Sequence, residues 1–148
     1  MIKKILVATD GSDHAKKAID YACDLTLKYD AEVYLLHVIY KSGVPKNLLK
    51  VLEAHRIEKT PEHAILKEIG DRIIEMAERE CREKGLKNFQ SSIIEGDPAQ
   101  AIIEFAREKG VDMIIMGSRG LGNLEGVFLG SVSHKVCNLA HCTCLTVK

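Results

Sequence analysis

The sequence has 148 residues, of which 46% are hydrophobic and 28% are charged, the composition of an ordinary globular domain. Its 21 basic and 21 acidic residues balance, so its zero net charge excludes a global attraction to nucleic acid or to an acidic membrane. No apolar run reaches the roughly 18 residues of a membrane-spanning helix. We therefore expect one domain over residues 1–148, with no nucleic-acid partner and no membrane partner.

The cysteines and the first ten residues both indicate a cytoplasmic protein. Five cysteines, an odd number scattered along the chain, do not match the disulfide framework of a small secreted domain. Only Cys142 and Cys144 are closely spaced, and we interpret them as small apolar residues near the last strand rather than as a metal or redox pair. Two lysines precede an apolar run at the N-terminus, as in a signal peptide, but Asp10 interrupts that run too early.

The chain begins with a predicted strand over residues 2–9, an almost continuous apolar run typical of a parallel strand buried on both faces. A turn over residues 10–13 follows, in which Ser12 or Asp13 can cap the next helix. That helix has an apolar stripe at helical spacing, formed by Ala15, Ala18, Ile19, Ala22 and Leu25.

The middle of the chain combines a second strand, an irregular segment and a long helix. Residues 31–40 form the predicted strand, and we interpret His37 within it as a packed, hydrogen-bonded histidine rather than a ligand. Residues 41–59 are irregular, and the pattern leaves open whether they form a lid or a surface excursion. The Thr-Pro pair at residues 60–61 begins a helix that ends near Gly85. Its predicted inward residues are Ile65, Ile69, Ile73, Met76 and Ala77.

Strands and helices continue to alternate to the end of the chain. The remaining strands are predicted over residues 87–95, 111–116 and 145–147. Asp97 and Pro98 open the helix between the first two of these, as capping residue and first-turn proline. Another helix is predicted over residues 131–140.

The alternation predicts a doubly wound α/β fold, a three-layer sandwich around a five-stranded, mostly parallel sheet of order 3-2-1-4-5. In such a sheet, ligands bind beyond the carboxyl ends of the strands where the winding reverses. The reversal here lies between strands 1 and 4, whose following loops begin at Asp10 and Gly117. Both loops are therefore expected to meet in one crevice.

The loop after strand 4 has the residue types of an anion site. Residues 117–120 read Gly-Ser-Arg-Gly, and residues 130–133, Gly-Ser-Val-Ser, open the next helix. Glycines let the backbone approach a ligand, and the free N–H groups of a helix start attract a phosphate. Asp10 can meet a ribose, a cation or a purine edge there, or can serve only as a local turn or cap.

Two other nucleotide fingerprints fail. Asn123 stands where a Walker A loop needs lysine, and Glu125 stands where a dinucleotide fingerprint needs its third glycine. His14 and His134 lie near the loops in sequence, and we interpret both as surface histidines of helices.

The spacing Gly117-x2-Gly120-x9-Gly130-Ser131 resembles the ATP-binding signature of the universal stress protein family. Further segments are similar to that family, and the resemblance covers nearly the whole chain apart from residues 41–59. These segments are residues 4–12, 36–38, 95–98 and 131–147. The chain departs from the family at residues 142–143, which read Cys-Thr where members often have Cys-Pro.

The resemblance implies a bound adenine nucleotide, ATP or else ADP or AMP, accompanied by Mg²⁺. The backbone near Val38 would read the adenine edge, and Asp10 would contact the nucleotide from the first loop. The implied binding residues are Ala8, Thr9, Asp10, Val38, Met116, Gly117, Arg119, Gly120, Gly130, Ser131, Val132 and Ser133. It also implies a homodimer through the final strand, residues 144–148, where pairing would cover an exposed edge.

The leading functional hypothesis is an ATP-binding stress-response or signalling protein whose nucleotide alters dimer contacts or contacts with an unknown protein partner. One alternative is a slow ATPase or phosphotransferase using the same crevice, and another is a member that binds partners without nucleotide. The loops contain no Walker lysine and no evident general base, so we assign no catalytic residue and favour binding over efficient hydrolysis.

Overall fold

The computed structural model describes residues 1–40, 54, 61–121 and 129–148. The described strands are β1 (Lys4–Ala8), β2 (Glu32–Ile39), β3 (Phe89–Glu95), β4 (Met113–Gly117) and β5 (Thr143–Val147). The described helices are α1 (Asp13–Tyr29), α2 (Pro61–Glu83), α3 (Pro98–Lys109) and α4 (Ser131–Leu139). The predicted irregular segment over residues 41–59 lies outside the described residues, apart from residue 54.

The five described strands form one sheet in the order β3-β2-β1-β4-β5, which confirms the predicted fold and strand order. Every neighbouring pair is parallel, so the sheet is wholly rather than mostly parallel over these strands. The winding reverses between β1 and β4, where Ala8 lies opposite Met116 at the carboxyl ends. Both loops of the predicted crevice therefore leave the sheet side by side.

Successive residues of β1 enter opposite cores, which explains its continuous apolar run. Ile5 and Val7 pack with residues of α1 and α2 on one face of the sheet. Leu6 packs with residues of α3 and α4 on the other face. The molecule thus has the three predicted layers, and none of the described helices is long and apolar enough to cross a membrane.

Short polar side chains cap the N-termini of α1 and α3. Ser12, rather than Asp13, caps α1, and its hydroxyl accepts a hydrogen bond from Ala15 N at 3.2 Å. Asp97 caps α3 as predicted, accepting from Gln100 N at 2.9 Å. Because α1 follows β1 and α3 follows β3, both capped N-termini lie at the carboxyl edge of the parallel sheet.

The predicted inward stripe of α2 is wrong at three of its five positions. Ile65, Ile69 and Met76 are 57%, 47% and 39% exposed, whereas Ile74 and Ala77 are buried. Gly70 packs against the end of β2, because a Cβ added at this position would contact the side chains of His37 and Ile39. Residues of α2 that precede Gly70 therefore lie at or beyond the carboxyl edge of the sheet, where none of the described strands covers them.

The last strand is longer than the three residues predicted, because it begins at Thr143, which pairs with Met113. Threonine keeps the backbone N–H that a proline at this position would lack, so residue 143 can join the ladder. Cys142 and Cys144 pack against the α3–α4 core, which confirms their interpretation as small apolar residues.

Asp112 ties the start of β1 to the turn before β4, and this contact predicts a pH-dependent stability. The backbone N–H groups of Lys3 and Lys4 donate to its carboxylate at 2.8 and 2.9 Å and hold its pKa below the usual 3.8. Since the folded pKa is the lower one, this stabilisation is complete above the unfolded pKa and is lost as the pH falls through the folded pKa.

We expect Asp112→Asn to lower the free energy of unfolding by about 1 kcal/mol at pH 7, because solvent screens this exposed carboxylate. The difference from wild type should vanish in acid, below the folded pKa. Denaturant unfolding at pH 7 and in acid measures both values, and a difference that persisted in acid would contradict a charge effect. Asp112→Ala, which removes the acceptor itself, should remain destabilised at both pH values.

Candidate functional site

A pocket of about 580 Å³ opens beyond the carboxyl ends of β1, β2 and β4. All of the residues predicted as binding residues line it: Ala8, Thr9, Asp10, Val38, Met116, Gly117, Arg119, Gly120, Gly130, Ser131, Val132 and Ser133. The strand ends bring them together from four separate parts of the sequence.

The loop after β1 holds the Asp10 carboxylate in place. One oxygen, Oδ1, accepts a hydrogen bond from Ser12 N at 2.9 Å, and Gly11 adopts a left-handed φ of 79° that the tight turn requires. The other oxygen, Oδ2, lies where a Cβ on Gly120 would come within 2.6 Å of it. Asp10 therefore shapes its own turn and also meets the second loop across the crevice.

Gly117 is required by the close approach of α1 to the end of β4. A Cβ at this position would lie 2.8 Å from the Cβ of His14 and 2.9 Å from the backbone N of Ala15. These atoms belong to a backbone or are bonded directly to it, so they cannot rotate away. The glycine thus sets the distance between the N-terminus of α1 and the pocket.

Ser118 anchors the loop after β4 on three sides. Its N–H donates to Val147 O of β5 at 2.7 Å, and its carbonyl accepts from Gly130 N at 2.7 Å and from Ser133 Oγ at 2.9 Å. Its hydroxyl is 3.0 Å from Nδ1 of His14. Sequence reasoning missed this buried residue, and the interpretation of His14 as a surface histidine is wrong because it is half-buried in this pair.

The N-terminus of α4 points unsatisfied donors at the pocket. Gly130 occupies the N-cap position without a side-chain cap, and the first helical bond runs from His134 N to Gly130 O at 2.9 Å. The N–H groups of Ser131, Val132 and Ser133 therefore have no acceptor within the helix. They carry the positive end of the helix dipole, which favours an anion.

The side chain of Ser133 is not available to a ligand. The Ser133 hydroxyl is buried and bonds Ser118 O and Gly130 O, so the main-chain N–H is what Ser133 presents. His134 is exposed and pairs with Asn138, which confirms its interpretation as a surface histidine.

The opposite end of the pocket is apolar, and the sequence did not predict most of it. Its walls come from β2, α2 and α3 and include Ile39, Leu66, Ile69, Ile73 and Ile102. The only signal in the sequence is the apolar stripe of α2, which predicts core residues rather than a pocket wall. The exposure of Ile69 is thus partly explained by its place in the pocket wall.

His37 connects the loop after β1 to α2, which forms part of this wall. Its Nδ1 is 2.9 Å from Thr9 O, and because a carbonyl only accepts, that nitrogen carries the proton. The ring packs against Gly70, where a Cβ would come within 3.0 Å of Cδ2. The prediction of a packed, hydrogen-bonded histidine is confirmed.

Charged groups lie at the loop end of the pocket. Asp10 is the sole carboxylate among the described lining residues, and Arg119 stands in the loop after β4. Across residues 1–40, 61–121 and 129–148, no group of three or more His, Cys, Asp or Glu residues could hold a metal ion by itself. The pocket thus offers donors and one carboxylate at one end and apolar surface at the other.

The sequence model of the universal stress protein family matches residues 1–148. The chain belongs to the universal stress protein family. Universal stress protein YxiE of Bacillus subtilis is 40% identical, with both chains covered completely. The solved structure of protein MJ0577 of Methanocaldococcus jannaschii is 32% identical, with a TM-score of 0.80 over 100% of this chain and 96% of the other. Family membership thus confirms the resemblance seen in the glycine spacing.

Two further structures of the family share the fold and were solved with nucleotides. A universal stress protein in complex with cAMP is 24% identical, with a TM-score of 0.67 over 99% of this chain and 97% of the other. A family protein from Arabidopsis thaliana with AMP bound is 23% identical, with a TM-score of 0.66 over 99% of this chain and 91% of the other. At these identities the comparison establishes a shared fold.

Proposed function

We propose that this protein binds an adenine nucleotide, ATP above all, in the pocket beyond β1, β2 and β4. The observation that carries the proposal is the uncapped N-terminus of α4, whose free N–H groups face a pocket that is apolar at its other end. A nucleotide has the same polarity, with anionic phosphates at one end and a flat base at the other. The cAMP and AMP complexes of two proteins with this fold support the choice of adenine.

In this proposal the phosphates lie at the N–H groups of residues 131–133 and beside Gly117 and Gly120, where no side chain blocks the backbone. The ribose lies near Asp10, whose carboxylate can accept from its hydroxyl groups. The base lies against the apolar wall, with the backbone near Val38 at its polar edge.

Asp10 also fits the accompanying Mg²⁺. Magnesium is usually held by one or two carboxylates together with substrate phosphates and keeps several of its waters. Asp10 is the sole carboxylate of the described pocket wall, and its Oδ2 takes no part in the turn bond to Ser12. The ion would neutralise phosphate charge there.

We further propose a cytoplasmic stress-response or signalling role as a dimer paired through residues 144–148. The strand β5 lies at the edge of the described sheet, where its outer side can pair with the same strand of a second copy. Ser118 N donates to Val147 O, which connects the phosphate-side loop directly to this edge. A nucleotide that tightens the loop can thereby alter the dimer contact or that of another protein partner.

The thermal unfolding midpoint tests nucleotide binding. Mg-ATP at about 100 times its dissociation constant should add roughly 2.7 kcal/mol, because it binds only the folded state. For a chain of this length the midpoint should rise by about 5–10 °C. Mg²⁺ alone is the control, and chromatography of the recovered nucleotide shows whether it was hydrolysed. No rise, in protein freed of carried-over nucleotide, would reject ATP binding and favour a nucleotide-free, partner-binding member.

A further inference from the structure

Two buried cysteines face each other between α1 and α2, away from the pocket residues. Cys23 and Cys81 are each 1% exposed, and their Sγ atoms are 3.8 Å apart although the residues are 58 positions apart in sequence. Both belong to the core on the α1–α2 side of the sheet. Nothing in nucleotide binding requires either thiol.

The geometry is close to that of a disulfide. An S–S bond is about 2.05 Å long, so the two sulfurs must approach by roughly 1.8 Å. The surrounding core contains several small side chains, among them Ala22 and Ala77, each almost fully buried. Rotation of two short cysteine side chains within a helix pair can supply such a movement without unfolding either helix.

The two thiols are also electronically unequal, which favours reaction between them. The hydrogen bond between the two thiols lowers the pKa of Cys23, against the opposing effects of burial and of the Asp20 carboxylate, and it raises the pKa of Cys81. By contrast, burial raises the pKa of Cys144 to about 12. Because the thiolate is the nucleophile, Cys23 is the sulfur that reacts first.

A polar groove lies beside α1 and the end of α2, close in sequence to both cysteines. It has a volume of about 360 Å³ and is lined by Lys16, Asp20, Glu80, Glu83 and Lys84. Asp20 lies three positions before Cys23 on α1, and Lys84 lies three positions after Cys81, just beyond the end of α2. The two side chains pair across the groove at 3.1 Å. Opening of this exposed ion pair requires little energy.

We propose that Cys23 and Cys81 form an intramolecular disulfide when a hydroperoxide oxidises the protein. The Cys23 thiolate attacks one peroxide oxygen, the O–O bond breaks, and the departing oxygen takes a proton, leaving a sulfenic acid on Cys23. The sulfur of Cys81 then attacks Cys23 Sγ, the S–O bond breaks, and hydroxide leaves as water with the thiol proton of Cys81. Two thiols are oxidised, one peroxide is reduced, and α1 becomes covalently tied to α2.

Peptide mapping of the folded wild-type protein after treatment with hydrogen peroxide tests this proposal. Alkylation under denaturing conditions should label three thiols per chain instead of five. Treatment with dithiothreitol before alkylation should bring the number back to five. Trypsin should release residues 18–28 linked to residues 80–82, a pair containing only Cys23 and Cys81. The closed loop is long, so the unfolding midpoint should rise by about 5–10 °C.

Two variants separate this pair from the other three cysteines. Cys142→Ser combined with Cys144→Ser should retain the linked peptides, whereas Cys81→Ala should abolish them. Five alkylated thiols after oxidation, linkage only within the peptide of residues 136–148, or linkage only between two chains would overturn the proposal.

Discussion

Gly117→Ala is expected to lower the free energy of unfolding by about 2–3 kcal/mol and the unfolding midpoint by about 5–10 °C. The new Cβ would lie 2.8–2.9 Å from atoms of His14 and Ala15 that are part of the α1 backbone or directly attached to it. The helix must therefore move as a body, which disturbs its packing against β4 and the hydrogen bond between His14 and Ser118. Denaturant unfolding of both proteins measures the loss.

Gly130→Ala is the matched control, because the same atom is added to a glycine of the same pocket. Here the nearest atom to the new Cβ is Ser118 O at 3.4 Å, an ordinary contact, and the backbone is extended at φ −65° and ψ 161°. We expect a loss below about 1 kcal/mol, the cost of alanine at an N-cap. Equal losses in the two variants would show that the approach of α1 does not require Gly117.

Gly130→Asp is expected to weaken ATP binding roughly 100-fold, equivalent to about 2.7 kcal/mol, without loss of stability. Aspartate is a preferred N-cap residue, so its carboxylate can accept from the N–H groups at the start of α4 and stabilise the fold. The same carboxylate occupies donors assigned to the phosphates and repels them. Titration of a fluorescent ATP analogue into each protein measures the affinity.

Gly130→Asn distinguishes two causes of weaker ATP binding, namely a side chain that occupies the N–H groups of α4 and a negative charge that repels the phosphates. Asparagine also caps a helix but is neutral, so its affinity should fall between those of the alanine and aspartate variants. A stable aspartate variant with wild-type affinity would show that the phosphates lie elsewhere. Since folding is measured independently, a fall in affinity cannot be attributed to unfolding.

The sequence was most informative where local pattern and topology act together. The apolar runs of β1 and β4 predict strands buried on both faces, and the alternation with helices predicts the parallel order. Once that order is known, the loops at Asp10 and Gly117 must leave the sheet together. Topology therefore predicted where the two loops meet, whereas the individual binding residues depended on the resemblance of the glycine spacing to the family signature.

What the sequence could not provide depends on contacts distant along the chain. The apolar stripe of α2 reveals its amphipathic character, but it does not show where the sheet beneath it ends, so Ile69 was assigned to the core instead of the pocket wall. His14 and Ser118 are 104 positions apart in sequence, and Cys23 and Cys81 are 58 positions apart. No spacing rule connects such residues before the helices are docked.

Calorimetric titration of Mg-ATP into protein stripped of nucleotide tests the central proposal most directly. We predict saturable binding of one nucleotide per chain, with a strongly reduced affinity in Gly130→Asp and an affinity close to wild type in Gly130→Ala. Heats no larger than dilution for ATP, ADP and AMP alike, in protein whose folding has been verified, would contradict nucleotide binding at the N-terminus of α4.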